Sequence, residues 1–230
     1  IDLVAARWTD GSAVVWYKNN GSGSYWQHPH LTISPEAYYV EHVEPIDLDQ
    51  DGDMDVIIGE GGSGTYDHVL TWARNNGSQS FTIITIASSL NNSNAVYPSD
   101  IDQDGDIDVL VGWRDGIRWY ENNGSESFTA QTVYSSSSSY FGDPQSIIAI
   151  DMDQDGDMDV VGGSPGPSGA NDYVAWFENN DKGNFTTHLT GRRQAAYVIR
   201  AVDMEGDGDL DFVLCLGMGY TGDGKQEQVA

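Results

Sequence analysis

The sequence predicts an all-β fold assembled from a repeated unit of about four short strands. First, four similar acidic segments begin at Asp47, Asp100, Asp151 and Asp203, at intervals of 53, 51 and 52 residues. Second, a continuous apolar run follows each of them, and a Trp-containing strand follows that run in the same phase. Third, no stretch has the periodicity of an amphipathic helix.

The elements of one unit follow in a fixed order. The apolar run, such as residues 56–59, lacks alternation, which is typical of a strand buried on both faces. The Trp strand ends in an Asn-Asn hairpin, usually followed by Gly, because both residue types tolerate positive φ. A strand that begins with an aromatic residue follows the hairpin, and a fourth strand leads into the next acidic segment. The Trp strands and their hairpins occupy residues 14–21, 70–77, 117–124 and 174–181.

Four strands in every repeat of about 50 residues are typical of a β-propeller blade. The chain holds five copies of the strand after the acidic segment and four of each other strand. We therefore predict a β-propeller of four-stranded blades, with about four blades in this chain, one surplus strand and both ends cut within a repeat. Residues 1–230 form a single predicted repeat domain. A β-sandwich with acidic loops is the alternative, but it does not explain why all the motifs recur in phase.

The charge of the chain is strongly negative. It has 10 Lys and Arg against 36 Asp and Glu, which gives a net charge of −26 at pH 7. Such a chain lacks the basic surface that nucleic-acid binding requires, and anionic membranes repel it. No apolar run reaches the ~20 residues of a membrane-spanning helix. The single cysteine, Cys215, excludes an intrachain disulfide and is predicted to be a buried apolar residue of a strand.

The acidic segments have the spacing D-x-D-x-D-G-D-x-D and are predicted to bind Ca²⁺. In a loop that curls around the Gly, positions 1, 3 and 5 point side-chain oxygens inward, position 7 offers a backbone carbonyl and position 9 closes the shell. Ca²⁺ takes about 6–8 oxygen ligands, whereas carboxylates crowded together without a cation repel each other. Position 12 lacks the Glu of an EF-hand, and a strand rather than a helix follows. The sequence therefore predicts about four structural Ca²⁺ ions.

The predicted calcium loops span residues 47–55, 100–108, 151–159 and 203–211. The predicted ligands are their acidic side chains: Asp47, Asp49, Asp51, Asp53, Asp55, Asp100, Asp102, Asp104, Asp106, Asp108, Asp151, Asp153, Asp155, Asp157, Asp159, Asp203, Glu205, Asp207, Asp209 and Asp211. The last loop departs from the other three, since a Glu occupies position 3 and glycines flank position 5. Its longer side chain is expected to ligate with altered geometry or affinity.

These loops and the apolar strands after them resemble the FG-GAP/VCBS repeats of integrin-α-like β-propellers. The accompanying W-[YFA]-[EKR]-N-N strand is common in secreted bacterial and archaeal members, and the resemblance covers the whole chain. It implies structural Ca²⁺ bound within each blade and a face that binds proteins or glycans. Members include adhesive and display modules and some polysaccharide lyases. Family propellers usually have about seven blades, whereas this chain supplies about four.

Other residues are weaker candidates for function. Asn-x-Ser/Thr sequons, three of them at Asn-Gly-Ser hairpin tips, mark glycosylation candidates at Asn20, Asn76, Asn91, Asn123 and Asn184. Trp8 and Trp113 lie in or beside the loop after the buried strand and are ligand-stacking candidates. The Trp that recurs at one position of every unit is interpreted as core between blades.

We expect a non-enzymatic, calcium-stabilised propeller that acts outside the cell or at its surface as a display, adhesion or structural module for protein or glycan partners. Calcium sites of this kind fill where free Ca²⁺ is about 0.1–1 mM or more, which indicates an extracellular setting. Two alternatives stay open. The surplus strand indicates a filament subunit that completes a blade of a neighbouring copy. His42, Tyr97 and Arg200, on strands predicted near the axis, are compatible with a fragment of a propeller-type polysaccharide lyase.

Overall fold

The structure is a computed structural model, and it describes residues 2–7, 13–19, 21, 30–35, 37, 39–61, 68–90, 92–135, 141–164, 173–180, 183–189, 196–208 and 210–216. These residues form 17 β-strands and no helix, which confirms the all-β prediction. Within the same part of the chain there is accordingly no helix long and apolar enough to cross a membrane.

The strands form five antiparallel sheets, and within each sheet neighbours in sequence are neighbours in space. The first sheet contains β1 (Leu3–Arg7), β2 (Ala13–Tyr17) and β3 (Leu31–Ser34). The second contains β4 (Val40–Ile46), β5 (Asp55–Glu60), β6 (His68–Asn75) and β7 (Phe81–Leu90). The third contains β8 (Ser93–Ser99), β9 (Asp108–Trp113), β10 (Gly116–Asn122) and β11 (Phe128–Ser135). The fourth contains β12 (Ser146–Ile150), β13 (Asp159–Ser164), β14 (Tyr173–Asn179) and β15 (Phe185–Leu189), and the fifth contains β16 (Ala196–Val202) and β17 (Asp211–Leu216).

Three complete four-stranded sheets thus lie between two partial ones. The 17 described strands equal four for each of four blades and one more, as the repeat count predicts. The phase of the repeat explains the division, because β1–β3 correspond to the last three strands of a blade and β16–β17 to the first two. A four-stranded antiparallel meander repeated along the chain is the architecture of β-propeller blades.

Hydrophobic clusters lie between consecutive sheets. Ile57 and Trp72 of the second sheet pack with Val109 of the third, while Val56 and Ile58 face the first sheet. All six residues of β5 are buried. Because alternate residues of this strand pack against different neighbouring sheets, its sequence is continuously apolar, as predicted.

The recurring Trp fills the gap between two sheets. The ring of Trp72 meets Phe128, the first residue of an outer strand in the next sheet, edge to face with centroids 6.4 Å apart. Trp72 and Trp119 are both buried, which confirms their interpretation as core between blades, whereas Trp16 and Trp176 at the same position are half-buried. Between the fourth and fifth sheets, glycine allows close approach, since a side chain at Gly163 would collide with Ala196.

The prediction that Cys215 is buried is wrong. Cys215 lies in β17, as expected for a strand residue, but its side chain is exposed. The equivalent strand β13 is fully buried because it lies inside a four-stranded sheet with a further sheet on each side. Among the described residues, β17 pairs with β16 alone.

Candidate functional site

Each acidic loop is folded by its own carboxylates. In the first loop, the position 1 carboxylate of Asp47 accepts the backbone N–H of Gly52 at 3.0 Å, and the same bond recurs in the next two loops. The position 5 carboxylate of Asp51 accepts the N–H of Asp53 at 2.9 Å. Gly52 has a φ of 97°, so position 6 requires glycine. This curl turns the remaining oxygens toward the centre of the loop.

The position 9 carboxylate is the deepest of the loop. Asp55 is fully buried and accepts three hydrogen bonds, from Leu48 N at 3.2 Å, Trp72 Nε1 at 2.8 Å and Asn75 N at 2.7 Å. The equivalent Asp residues of the next two loops are equally buried and accept the same two backbone bonds. This carboxylate therefore ties the acidic loop to the Trp strand and hairpin of its own sheet.

Positions 1, 3 and 9 bring three carboxylates together in each of three loops. In each group, one oxygen per residue lies within 4.8 Å of the others. The three groups are Asp47, Asp49 and Asp55; Asp100, Asp102 and Asp108; and Asp151, Asp153 and Asp159. The Oδ1 atoms of Asp47 and Asp151 are buried without a hydrogen-bond partner among the described residues. Unpartnered buried oxygens are costly, so these groups fit a hard divalent cation that takes carboxylate ligands.

Burial and crowding make these carboxyls hard to ionise. Burial is the main cause that raises the pKa of Asp49 and Asp102, and repulsion from the neighbouring Asp raises the pKa further. Burial also raises the pKa of Asp55 and Asp159, and it raises the pKa of Asp108 to about 7 despite hydrogen bonds that act in the opposite direction. A divalent cation held by these groups would supply the positive charge that favours the ionised forms.

Positions 5 and 7 do not join these groups. The carboxylate of Asp53 lies over the hairpin residue Gly77, where any side chain would collide with it, and Asp106 and Gly124 repeat the arrangement. Gly77 also has a φ of 72°, so the hairpin requires glycine for two reasons. The predicted ligands placed outside the three groups are Asp51, Asp53, Asp104, Asp106, Asp155 and Asp157.

The fourth loop differs from the other three. Asp203 still caps the loop, accepting the N–H groups of its two glycines at 2.6 and 3.0 Å. Glu205 faces Asp211, and the hydrogen bond between their carboxyls, followed by their mutual repulsion, raises the pKa of Glu205. Position 3 thus meets position 9 in this loop as well. Asp207 is exposed, and Asp209 lies outside the described residues.

Hydrogen bonds link neighbouring loops, and the motif alone does not predict them. The side-chain amide of Gln50 donates to Gly105 O in the second loop at 2.6 Å, and Gln103 donates to Gly156 O in the third. Both glutamines have positive φ, 57° and 59°, a costly conformation for a residue with a side chain. The signal in the sequence is the Gln at position 4 of three loops.

A Trp–Asp–Asn contact was also not expected. In the second sheet, Trp72 Nε1 and Asn75 N both donate to the position 9 carboxylate of Asp55, and the Asn75 amide further donates to Met54 O at 3.1 Å. In the first sheet, Asp2 takes the same role, accepting from Trp16 Nε1 at 3.0 Å and Asn19 N at 2.9 Å. The signal is the constant phase between the last acid of a loop, the Trp and the first Asn.

The described sequons lie at exposed hairpins. Asn76, Asn123 and Asn184 are exposed, and the first two accept the N–H of the sequon Ser at 3.0 and 2.9 Å. Asn20 and Asn91 lie outside the described residues. Accessibility is compatible with glycosylation, which stays a prediction.

One predicted stacking residue already has a partner within the protein. The guanidinium of Arg118 lies 4.0 Å from the ring centroid of Trp113, so the protein itself occupies one face of this half-buried ring. Trp8 lies outside the described residues. Ligand stacking on either residue stays a prediction.

The first strands of four sheets surround a cavity of about 510 Å³, here called the axial cavity. β4 contacts β8, β8 contacts β12 and β12 contacts β16. His42, Tyr97 and Arg200 all line it. The structure therefore brings together three residues that the sequence places on separate strands.

The repeat geometry agrees with the comparison with known families. The FG-GAP-like repeat family matches residues 1–58 and 100–162, more than half of the chain. The chain belongs to this family. The predicted resemblance to FG-GAP repeats is thereby confirmed, and the second matched segment contains two of the three carboxylate groups. No curated protein matches this FG-GAP-repeat chain significantly.

Solved structures show the same fold. The structure of a lectin from Agrocybe aegerita matches this FG-GAP-repeat protein over 99% of its chain with a TM-score of 0.52 and 20% sequence identity. That work describes specific recognition of non-reducing terminal N-acetylglucosamine by the lectin. The present chain covers 64% of the lectin chain, less than two thirds of its length. The likeness supports the predicted β-propeller architecture.

Proposed function

We propose that this protein is a calcium-stabilised, non-enzymatic β-propeller that works outside the cell and displays binding surfaces for glycan or protein partners. The observation that carries the proposal is the threefold recurrence of the position 1, 3 and 9 carboxylate group, with buried oxygens left unpartnered in two of the three loops. A recurring site in every complete sheet serves stability, whereas a catalytic centre is needed only once.

Calcium acts here through the chain's own carboxylates. The position 9 Asp holds the loop against its sheet, and the Gln contacts join one loop to the next. Binding of Ca²⁺ to the native loops stabilises the fold by mass action, because the unfolded chain lacks preformed sites. Affinities of the extracellular kind, with Kd of about 10⁻⁴–10⁻³ M, would leave the sites empty inside a cell.

Calcium titration calorimetry and thermal unfolding test this part. We expect a dissociation constant near millimolar and a melting temperature that falls in excess EDTA. Asp102→Asn should weaken one site, whereas Asp115→Asn, which removes the same charge at the turn between β9 and β10, should leave binding unchanged. An identical melting curve with Ca²⁺ and with EDTA contradicts structural calcium, and submicromolar affinity contradicts the extracellular assignment.

The partner class is supported by the lectin with the same fold, whose structure concerns sugar recognition. We expect the calcium-loaded protein to bind at least one class of glycan on an array and to lose that binding in EDTA. If the protein binds no glycan on the array, proteins remain as the proposed class of partner. Release of unsaturated products from acidic polysaccharides would overturn the non-enzymatic assignment and favour the lyase. Filament formation by strand donation stays a prediction, which light scattering of the calcium-loaded chain tests.

A further inference from the structure

The axial cavity combines a symmetric scaffold with an asymmetric lining. The residue four places before each acidic loop is aliphatic in all four sheets: Val43, Val96, Ile147 and Ile199. The residue three places before the loop lines the cavity in all four sheets but differs in each: Glu44, Tyr97, Ile148 and Arg200. A position that served packing alone would be expected to stay apolar, as the adjacent position does. Packing of the fold therefore does not explain the polar side chains at this lining position.

Arg200 is an unusual cation in this chain. The protein has 36 acidic and 10 basic side chains, so a carboxylate partner for an arginine is easy to supply. Arg200 nevertheless donates a hydrogen bond from Nη1 to its neighbour Ile199 O at 2.8 Å, and no salt bridge among the described residues includes it. A guanidinium presents a planar set of donors that matches a carboxylate with two parallel bonds. The cavity thus offers a site for an anionic group.

The other polar groups of the cavity suit hydroxyls. Glu44 Oε2 lies 3.4 Å from His42 Nε2 and accepts hydrogen bonds from O–H donors as well. Tyr97 and Gln145 add a phenol and an amide, each of which donates and accepts. Tyr197, exposed by 46%, adds an aromatic face at the same cavity. Several hydroxyl-binding groups beside aromatic rings favour a sugar over an acidic peptide, which offers few hydroxyls.

We propose that the axial cavity binds a carboxylated sugar residue of an acidic glycan, with Arg200 holding the carboxylate and Glu44 and His42 holding ring hydroxyls. This inference rests on the proposed glycan-binding function and names its site and ligand class. The volume of about 510 Å³ lies in the range of small-ligand pockets, about 300–1,000 Å³. The site is distinct from the calcium loops, whose carboxylates would repel such a ligand.

The decisive experiment is titration calorimetry of the calcium-loaded chain with three probes: an oligogalacturonate, a sialylated oligosaccharide and the methyl ester of the oligogalacturonate. We expect one of the two acidic probes to bind, which distinguishes a uronic acid from a sialic acid. Neutralising the carboxylate as the ester should weaken binding by at least about tenfold, since a charge-assisted pair is lost. Equal affinity for acid and ester overturns the proposal without any mutation.

Variants locate the site. Arg200→Met should weaken acidic-glycan binding by at least about tenfold, while Arg114→Gln, which removes an arginine from the exposed turn between β9 and β10, should leave it unchanged. The melting temperature in Ca²⁺ confirms that both variants fold. Unchanged binding by folded Arg200→Met overturns the axial site but leaves the proposed glycan function intact. Binding of an acidic peptide that depends on Arg200, without binding of either sugar, also overturns the proposal and assigns the cavity to a protein ligand.

Discussion

Asp55→Asn tests whether the position 9 carboxylate joins the proposed calcium site to the propeller. The carboxylate accepts bonds from Leu48 N, Trp72 Nε1 and Asn75 N, and an amide of the same shape cannot accept on both sides. In the better orientation the amide oxygen keeps the first two bonds and loses the third. A hydrogen bond to a charged group contributes about 1.5–3 kcal/mol, and the lower cost of burying an amide offsets part of the loss.

We therefore expect Asp55→Asn to lower the free energy of unfolding by about 2 kcal/mol in excess EDTA. For a chain of this size, that corresponds to a fall in melting temperature of roughly 4–8 °C. In Ca²⁺ at about 100 times the dissociation constant, loss of the site removes a further ~2.7 kcal/mol. Differential scanning calorimetry of wild type and variant, with Ca²⁺ and with EDTA, measures both effects.

Asp51→Asn is the matched control. Asp51 is exposed and accepts one backbone N–H through a single oxygen, which an amide reproduces. The control should therefore melt like the wild type in EDTA. Equal melting of Asp55→Asn and Asp51→Asn in EDTA would refute the reasoning about the buried bonds. A calcium-induced stabilisation of Asp55→Asn as large as that of the wild type would refute its place in the site.

Three further outcomes are expected. Because burial raises the pKa of Asp108 to about 7, the metal-free fold keeps a proton that the unfolded chain loses near the ordinary value of 3.8. The melting temperature in EDTA should therefore fall as pH rises from about 4 to about 7, and a rise over that range would contradict this. Trp72→Phe should cost about 1–3 kcal/mol in urea unfolding, since a buried bond to a charged carboxylate is lost. Trp113→Phe should cost less, because the indole N–H of Trp113 has no partner among the described residues. Gln103→Ala removes the hydrogen bond between the second and third loops and should weaken Ca²⁺ binding at both, as titration calorimetry measures. Gln79→Ala, at a hairpin residue with a similar φ of 62°, should leave Ca²⁺ binding unchanged.

Much of the fold was predictable because local patterns repeat. The continuous apolar run of β5 indicates burial on both faces, and Asn-Asn-Gly indicates the hairpin after β6. Repetition turns each weak local signal into a strong one. The exposure of Cys215 was not predictable in this way, because it depends on which strands and sheets lie beside β17.

The candidate site was predictable only in part. Its residue types and spacing indicate calcium, but five acids of one motif do not reveal which of them converge. Positions 1, 3 and 9 do so because the loop curls around Gly52 while Asp55 is held from below by Trp72 and Asn75, 17 and 20 residues away.

By itself, the sequence determined the repeat, the strand order within it and the acidic loops, since these follow from short-range periodicity and turn chemistry. Only the tertiary structure decided that Gln50 bonds the next loop and that His42, Tyr97 and Arg200 line one cavity. Those contacts join residues about one repeat or more apart. Their geometry depends on how whole sheets pack against each other, which no local pattern encodes.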